Sequence, residues 1–339
     1  MDIIKSANDP NRPVFSNLDV TPVVSIQGQP GSFHHIGARR LFGEVEFLYR
    51  DSFREVFADA RSGRANFLFV AIENSIAGSI IYNYDLLANH RIPIVAEKYL
   101  RIGQHLIAKP GTQLASIKEV WSHPMAIEQC RDFLETLDVR VVEKDDTAGS
   151  VRDLRDHSRN DIAVISSDYS AELYGMQIIR PHIETDPNNY TRFLLLSHVS
   201  IAQKQGVDSN QSASTSTQPE SNPPTGSLHH PPRPVSSPLS GSPHHPTKGK
   251  IKSTLWFGVS HKPGGLVDLL HVFREFNVNM TKIESRPRVG SPWVYDFFAD
   301  VHLDANTESG KQILASAREH CEFLHVLGSY PDVSVADPV

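Results

Sequence analysis

The stretch "NNYTRFLLL", residues 188–196, joins a polar half directly to an apolar half. Its apolar row, Phe193 to Leu196, predicts a buried strand. The polar residues Asn188 to Arg192 lead into this strand, and such residues either close a turn or line a site at the edge of a sheet. The surrounding sequence has to decide between these two interpretations.

The composition is that of an ordinary soluble protein with two or three domains, since the 339 residues are 39% hydrophobic and 21% charged. A net charge of −6 without a long basic run argues against nucleic acid as a partner. No run of about 18 apolar residues occurs, so no membrane span is expected. The N-terminal residues match neither a signal peptide nor a transit peptide. Cys130 and Cys321 are too few for a disulfide framework, and we expect a cytoplasmic protein.

Residues 201–250 differ from the rest of the chain. They contain 10 Ser and 9 of the 23 Pro, and no Phe, Trp or Tyr. Such a segment cannot bury enough apolar surface to offset its ordering entropy, which predicts a disordered linker. The pairs His229-His230 and His244-His245 within it lack the spacing of a structural metal site. We therefore divide the chain into an N-terminal extension (1–21), a large domain (22–200), the linker (201–250), a small domain (251–332) and a tail (333–339).

The large domain alternates predicted strands with predicted helices. A short apolar strand, Val23 to Gln27, precedes a helix with Ser32 as its N-cap. Ser52 and Glu55 form a capping box for the next helix, and Pro124 fits the first residue of a later one. This alternation predicts an α/β fold with a largely parallel sheet and helices on both faces. Ligands of such sheets bind beyond the carboxyl ends of the strands.

Four polar clusters follow predicted strands, namely "GQPGS" (28–32), "ENS" (73–75), "SHP" (122–124) and "DDTAG" (145–149). Each has a simpler interpretation: the glycines close a turn, Ser32 and Thr147 cap helices, Asn74 and Ser75 form a turn, and His123 is packed or on the surface. Neither a dinucleotide fingerprint nor a P-loop is present. Together, however, the clusters place several helix N-termini at one edge, which favours a carboxylate or phosphate ligand.

The motifs "VAIENSIAGSIIYNYDLL", "WSHPMAIEQC", "DDTAG" and "NNYTRFLLL" resemble the prephenate dehydratase family. After the linker, "KPGGLVDLLHVF", "NVNMTKIESRPRVGSPWVYDFFADV" and "LHVLGSYP" resemble the ACT regulatory domain that follows the catalytic domain in this family. The resemblance covers about residues 22–199 and 251–332, in the family's order.

The resemblance implies a catalytic domain of two α/β lobes, similar to periplasmic binding proteins, with the active site in the cleft between them. The lobes would be residues 22–99 plus 187–199, and residues 100–186. The polar half of "NNYTRFLLL" would then line the cleft, with Thr191 as the catalytic hydroxyl. The resemblance carries further catalytic roles onto Asn74, Ser122 and Gln129, and substrate-binding roles onto Ser32, Ser75, Thr147, Arg192 and Phe193. It implies prephenate as the substrate and requires no metal or other cofactor.

For residues 251–332 the resemblance implies an α+β, ferredoxin-like domain in the order βαββαβ. It also implies a homodimer or homotetramer that binds L-phenylalanine as an effector between the ACT domains of two subunits. The effector-binding residues would be Gly264, Gly265, Leu266, Asn279, Glu284, Ser285 and Arg286.

The chain departs from the family's usual pattern at several positions. His34 stands where a smaller hydrogen-bonding residue is usual, and Ala71 where proline is usual. In the ACT part, Gly265 replaces alanine and Met280 replaces leucine.

Two other functions remain open: an arogenate dehydratase, and a non-catalytic sensor of metabolites. Because only some 22 residues precede the first strand, we do not expect a fused chorismate mutase.

Overall fold

The computed structural model describes residues 15, 18, 20–199 and 250–333. The linker expected at 201–250 lies outside the described residues except for residue 250. Most of the expected extension (1–21) and tail (333–339) also lie outside them. Residues 20–199 and 250–333 belong to one compact unit.

The first lobe contains a mixed sheet with the strand order β2-β1-β3-β11-β5, to which the short β4 adds beside β3. Its core includes the large side chains Phe57, Phe67, Phe69 and Phe193, all essentially buried. Its elements before the chain crosses to the second lobe are β1 (Val23–Gln27), α1 (Phe33–Phe42), β2 (Glu46–Arg50), α2 (Phe53–Arg61), β3 (Phe67–Asn74), β4 (Gly78–Ser79), α3 (Ile81–His90) and β5 (Ile94–Arg101).

The second lobe contains a five-stranded mixed sheet with the order β10-β6-β9-β7-β8. Its elements are β6 (His105–Ala108), a 3₁₀ turn (Leu114–Ser116), β7 (Glu119–Ser122), α4 (Pro124–Gln129), α5 (Arg131–Leu134), β8 (Arg140–Glu143), α6 (Thr147–Asp156), β9 (Ile162–Ser166), α7 (Asp168–Tyr174) and β10 (Gln177–Arg180). The chain then returns to the first lobe as β11 (Tyr190–Leu196).

Strand β11 is the strand predicted from "NNYTRFLLL". It lies between β3 and β5 and runs antiparallel to both. Its first residues therefore meet the carboxyl end of β3, and Thr191 pairs directly with Asn74. The polar half of the stretch thus lies at the carboxyl end of β3, beside the predicted "ENS" cluster.

The local signals in the sequence are mostly confirmed. Ser32 caps α1, Ser52 and Glu55 form the capping box of α2, and Pro124 is the first residue of α4. The helix expected after Pro124 is divided in two at the buried Cys130. Both sheets are mixed, whereas the sequence predicted a largely parallel sheet, because strands that return from the other lobe run antiparallel to their neighbours.

Residues 251–331 form the predicted βαββαβ domain, with the strand order β13-β14-β12-β15. One face of this sheet packs on its two helices, and the other face packs on the first lobe. The elements are β12 (Ile251–Gly258), α8 (Gly265–Glu275), β13 (Met280–Pro287), β14 (Tyr295–Val301), α9 (Glu308–Arg318) and β15 (Phe323–Pro331).

The contact between the ACT-like domain and the first lobe combines apolar packing with buried ion pairs. Phe298, Leu327 and Tyr330 join the core of the first lobe. A Cβ atom at Gly328 would lie 2.1 Å from the carbonyl oxygen of Ile94, so only glycine fits there. Within the described residues, no helix is both long and apolar enough to cross a membrane.

Candidate active site

Asn74 holds the start of β11 through its side-chain amide. The amide nitrogen Nδ2 lies 3.1 Å from Thr191 Oγ1, 2.6 Å from Asn189 Oδ1 and 3.2 Å from the carbonyl oxygen of Tyr190. Its oxygen Oδ1 accepts hydrogen bonds from the backbone N–H groups of Ile76 and Ala77. These two hydrogen bonds to Oδ1 fix the orientation of the amide, so the Asn74 amide nitrogen faces Thr191 as a donor.

The Thr191 hydroxyl is consequently free to donate. It accepts from Asn74 and has no acceptor of its own among the described residues. Thr191 is 9% exposed, and this small exposed surface lines a cleft of about 240 Å³. A hydroxyl that is held as an acceptor on one side presents its proton to a ligand on the other.

The cleft lies between the two lobes and brings together most of the predicted site. Ser32, Asn74 and Phe193 from the first lobe line it, together with Gln129 and Thr147 from the second. Gln129 accepts a hydrogen bond from Gln104 Nε2 at 3.1 Å, and the side-chain amide of Gln129 is left available to the cleft. Among the described lining residues there is no lysine or arginine.

The N-terminus of α1 opens onto this cleft. Ser32 Oγ accepts from the backbone N–H of His35, whereas the N–H groups of Phe33 and His34 have no acceptor among the described residues. The loop before Ser32 turns through Gly28 and Gly31, whose φ angles of 99° and 94° favour glycine. Free N–H groups at a helix N-terminus bind anions, so the cleft offers a carboxylate site without a cationic side chain.

The same glycine loop contacts the second lobe. The carbonyl oxygen of Gly31 accepts from Ser167 Oγ at 2.9 Å, and that of Pro30 accepts from the Tyr174 hydroxyl at 3.0 Å. A Cβ atom at Gly31 would lie 2.9 Å from Ser170 Cβ. The loop therefore connects the two lobes beside the cleft.

The structure places Arg192 outside the cleft, contrary to the expectation that it binds a substrate carboxylate there. Its guanidinium donates to Glu97 Oε2 at 2.9 Å, to Asp300 Oδ2 at 2.5 Å and to the Tyr330 hydroxyl at 3.1 Å. Adjacent side chains of a strand point to opposite faces, so Thr191 and Phe193 face the cleft while Arg192 faces the ACT-like domain.

The hydroxyl groups of Ser122 and Ser75, both predicted to belong to the site, also form hydrogen bonds within the fold. Ser122 is fully buried and donates to the carbonyl oxygen of Ile165 at 2.7 Å, which joins β7 to β9. Ser75 donates to the carbonyl oxygen of Asn188 at 3.0 Å and accepts from the N–H of Tyr190. Neither side chain lines the cleft.

Asp146 and His34 line the cleft and were not among the predicted site residues. Asp146, rather than Thr147, caps α6, and its Oδ1 accepts from the N–H of Gly149. Burial raises the pKa of Asp146, although that hydrogen bond opposes the shift. The signal for Asp146 was present in "DDTAG", where Asp is as good an N-cap as Thr.

The predicted effector residues do not form one site within a single chain. Leu266 lies next to Gly264 and Gly265 in the chain and lines a groove of about 350 Å³ with residues 259–263, 294, 295 and 297. Glu284 and Arg286 point to the first lobe instead: Glu284 accepts from Ser79 Oγ at 2.6 Å, and Arg286 pairs with Asp85. Asn279 and Ser285 are exposed. Alternation along β13 separates Ser285 from its two neighbours.

The sequence profile of the family described as prephenate dehydratase matches residues 24–200. Among curated relatives, arogenate dehydratase/prephenate dehydratase 1 of Arabidopsis thaliana, a chloroplastic protein, is 28% identical over 91% of this chain and 71% of its own length. Arogenate dehydratase 2 of Petunia hybrida is 30% identical over 92% of this chain and 72% of its own length. The bifunctional chorismate mutase/prephenate dehydratase of Aquifex aeolicus is 28% identical over 91% of this chain and 73% of its own length.

Two solved structures align over nearly the whole chain. GqqA, described as a novel type of quorum quenching acylase, superposes with a TM-score of 0.71 at 27% identity over 93% of this chain and 98% of its own. The prephenate dehydratase of Arthrobacter aurescens in complex with L-Phe gives a TM-score of 0.71 at 23% identity over 94% and 92%. The second likeness supports the fold, and the family match covers more than half of the chain. The chain therefore belongs to the prephenate dehydratase family.

Proposed function

We propose that the protein is a prephenate dehydratase that converts prephenate to phenylpyruvate in L-phenylalanine biosynthesis. The observation that supports this most directly is the Thr191 hydroxyl, which Asn74 fixes as a free donor at the wall of the cleft. The family match also supports a dehydratase activity for this cleft.

The chemistry explains what the cleft has to supply. The C–C bond to the ring carboxylate breaks to give CO₂, its electron pair enters the ring, and the C–O bond to the ring hydroxyl breaks so that the ring becomes aromatic. The leaving hydroxide takes a proton and departs as water. Thr191 donates a hydrogen bond to this oxygen as negative charge develops on it, with water or a neighbouring group as the final proton source. Asn74 and Gln129 orient the reactants.

The absence of lysine and arginine from the described lining residues suits this reaction. A cation on the ring carboxylate would stabilise the ground state and slow the loss of CO₂. The N-terminus of α1 supplies a weaker anion site, which we assign to the side-chain carboxylate, because that group remains on the product. Aromatisation provides most of the driving force, and the proposed reaction uses no metal or organic cofactor.

Arogenate, which carries an amino group where prephenate carries a keto oxygen, is the alternative substrate, and some relatives are named for it. A cytoplasmic location is also part of the proposal. The test is kcat/KM for both substrates on one preparation. A preference of about tenfold or more for arogenate, roughly 1.4 kcal/mol, would replace prephenate by arogenate. Binding of prephenate without formation of phenylpyruvate would favour a sensor.

We further propose that L-phenylalanine inhibits the enzyme by binding the ACT-like domain in a homodimer or homotetramer. The groove lined by Leu266 and Tyr295 is the candidate site. Phenylalanine is one transamination beyond phenylpyruvate, so this would be end-product control. Inhibition requires that the amino acid binds the less active arrangement more tightly.

A further inference from the structure

His34 makes an unusual contact at the wall of the cleft. Its Nε2 accepts the backbone N–H of Ala71 at 3.3 Å. Ala71 is 4% exposed and lies beyond the end of the pairing between β1 and β3, which stops at Ile26 and Phe69. Without His34, the N–H of Ala71 would be a buried donor without an acceptor, so this hydrogen bond fixes the imidazole in place.

The contact also determines which ring nitrogen carries the proton. A neutral imidazole that accepts at Nε2 must carry its hydrogen on Nδ1. Burial lowers the pKa of His34 to about 3, so the ring is neutral at physiological pH. The ring packs edge-on against Phe193 at 5.0 Å between centroids, which further restricts its orientation.

The Nδ1–H group is left unused by the part of the chain that the structure describes. Nδ1 has no hydrogen-bond partner among the described residues, and it is not one of their buried unpaired atoms. Because His34 lines the cleft, Nδ1–H is a fixed donor available to a bound ligand. Such a group donates to a carbonyl or carboxylate oxygen, whereas an ammonium group in the same place is a second donor and cannot accept from it.

The position of His34 indicates which part of a substrate it contacts. It lies in the first turn of α1, beside the free N–H groups that we assign to the side-chain carboxylate. The carbon next to that carboxylate bears the keto oxygen of prephenate or the amino group of arogenate. A side chain in the same helical turn is therefore placed to distinguish the two.

We propose that His34 is a specificity-determining residue, whose Nδ1–H donates to the substrate's keto oxygen and disfavours an ammonium group at that position. This inference rests on the proposed dehydratase function. It assigns to one side chain the choice between a 2-keto acid and a 2-amino acid, which the family match leaves open. The hydrogen bond from Ala71 is the part of the fold that holds the ring of His34 in this orientation.

Two substitutions separate the two nitrogens. His34→Gln places an amide near the position of Nε2 and can still accept from Ala71, but it removes the Nδ1 donor. His34→Asn places an amide near the position of Nδ1 and can still donate to the ligand, but it leaves the N–H of Ala71 without an acceptor. For both variants and the wild type we would measure kcat/KM for prephenate and for arogenate, together with the melting temperature.

We expect the wild type to prefer prephenate. In His34→Gln the ratio of the two kcat/KM values should fall by about tenfold or more, because a lost hydrogen bond to one substrate changes discrimination, while the melting temperature is nearly kept. In His34→Asn the ratio should be largely retained and the melting temperature should fall. This crossed pattern is not expected of a residue that only supports the fold.

Other results would overturn the inference in distinguishable ways. An unchanged ratio in His34→Gln, or equal loss of ratio and stability in both variants, removes His34 from substrate discrimination but leaves the dehydratase function intact. A wild type that prefers arogenate overturns both the inference and the choice of prephenate. A wild type that turns over neither substrate overturns the proposed function, and the inference with it.

Discussion

Arg192 Nη1 lies 2.5 Å from Asp300 Oδ2, and this contact joins the strand that carries Thr191 to the ACT-like domain. The pair is buried, with Arg192 5% and Asp300 4% exposed. Glu97 extends the network by accepting from both Arg192 and Lys252. A residue adjacent to the candidate catalytic hydroxyl is thus held by the domain proposed to bind the effector, so a movement of that domain would be transmitted to β11 directly.

Substitution of Arg192 should strongly destabilise the protein. Arg192→Met leaves the buried Asp300 carboxylate without its cation, and loss of one partner from a buried pair costs about 3–5 kcal/mol. Urea unfolding followed by circular dichroism would measure the change. Arg131→Met is the matched control, since Arg131 and Glu128 are both mostly exposed, and it should leave the transition unchanged.

Substitution of Asp300, a partner of Arg192 in this network, tests whether Arg192 affects substrate binding indirectly or directly. Asp300→Asn alters the pair from the ACT-like side and touches nothing in the cleft. If Arg192 acts only through the network, Asp300→Asn should change stability and KM in the same direction as the substitution of Arg192. A large rise in KM for Arg192→Met with a normal KM for Asp300→Asn would show that Arg192 binds the substrate after all.

For Thr191, we expect Thr191→Ala to lower kcat by about 10²–10³, as for the loss of one donor to a developing oxyanion. Thr191→Ser keeps the hydroxyl and should retain much more activity. Thr136→Ala removes an exposed hydroxyl from the second lobe and serves as the control. Phenylpyruvate formation would be measured in all three variants. Near-normal turnover of Thr191→Ala would exclude Thr191 from the mechanism.

The sequence predicted the fold well because its signals are local. The capping residues Ser32 and Ser52 and the first-turn Pro124 each act within one helical turn, and the structure has helices starting at all three. The apolar row of β11 likewise predicted a buried strand. Its direction in the sheet could not be deduced locally, because that depends on a return from the second lobe.

The site was predicted less completely, for two different reasons. Alternation along a strand is a sequence-level rule, and it would have separated Arg192 from Thr191 and Phe193. Asp300, one of the partners of Arg192, however, lies 108 residues away and has no local signal. Ser122 is the last residue of β7, at the strand end where the sequence predicted it. Its hydroxyl, however, donates to a carbonyl of the neighbouring strand, which only the three-dimensional pairing reveals.

Asp146 should make the stability of the protein depend on pH. Burial raises the pKa of Asp146 in the folded state, so the protonated form stabilises the fold. That contribution is complete below the unfolded-state pKa and is lost as pH rises through the folded-state pKa. Asp146→Asn mimics the protonated form and keeps an N-cap, so its stability relative to the wild type should increase from acidic to neutral pH.

Asp161→Asn is the control for this prediction, because a hydrogen bond from Arg159 lowers the pKa of Asp161. There the wild-type contribution is present above the unfolded-state pKa, and the variant should become relatively less stable as pH rises. Melting temperatures across acidic to neutral pH would show the two opposite slopes. Parallel slopes would mean that burial in the cleft does not raise the pKa of Asp146.

The contact between Arg286 and Asp85 bears on inhibition by phenylalanine. The two side chains pair at 3.0 and 2.9 Å between the ACT-like domain and α3 of the first lobe. Arg286 does not line the groove at Leu266, so an effector bound there that also recruits Arg286 must first break this pair. In that case the pair opposes effector binding. Asp85→Asn weakens the pair without changing Arg286, and it should lower the phenylalanine concentration for half-inhibition. Arg286→Gln should raise that concentration. Because the pair is partly exposed, a change of up to about fivefold is expected, consistent with about 1 kcal/mol.

Glu308→Gln removes an exposed carboxylate from α9 of the same domain, away from the first lobe, and should leave inhibition unchanged. Turnover of prephenate over a range of phenylalanine concentrations would be measured for all three variants and the wild type. Opposite shifts in Asp85→Asn and Arg286→Gln identify the pair as a contact that phenylalanine must break. Both substitutions weaken the contact between the domain and the first lobe, but only Arg286→Gln alters a group that could bind the effector. If the concentration for half-inhibition shifts in the same direction in both variants, Arg286 affects inhibition only through the stability of that contact.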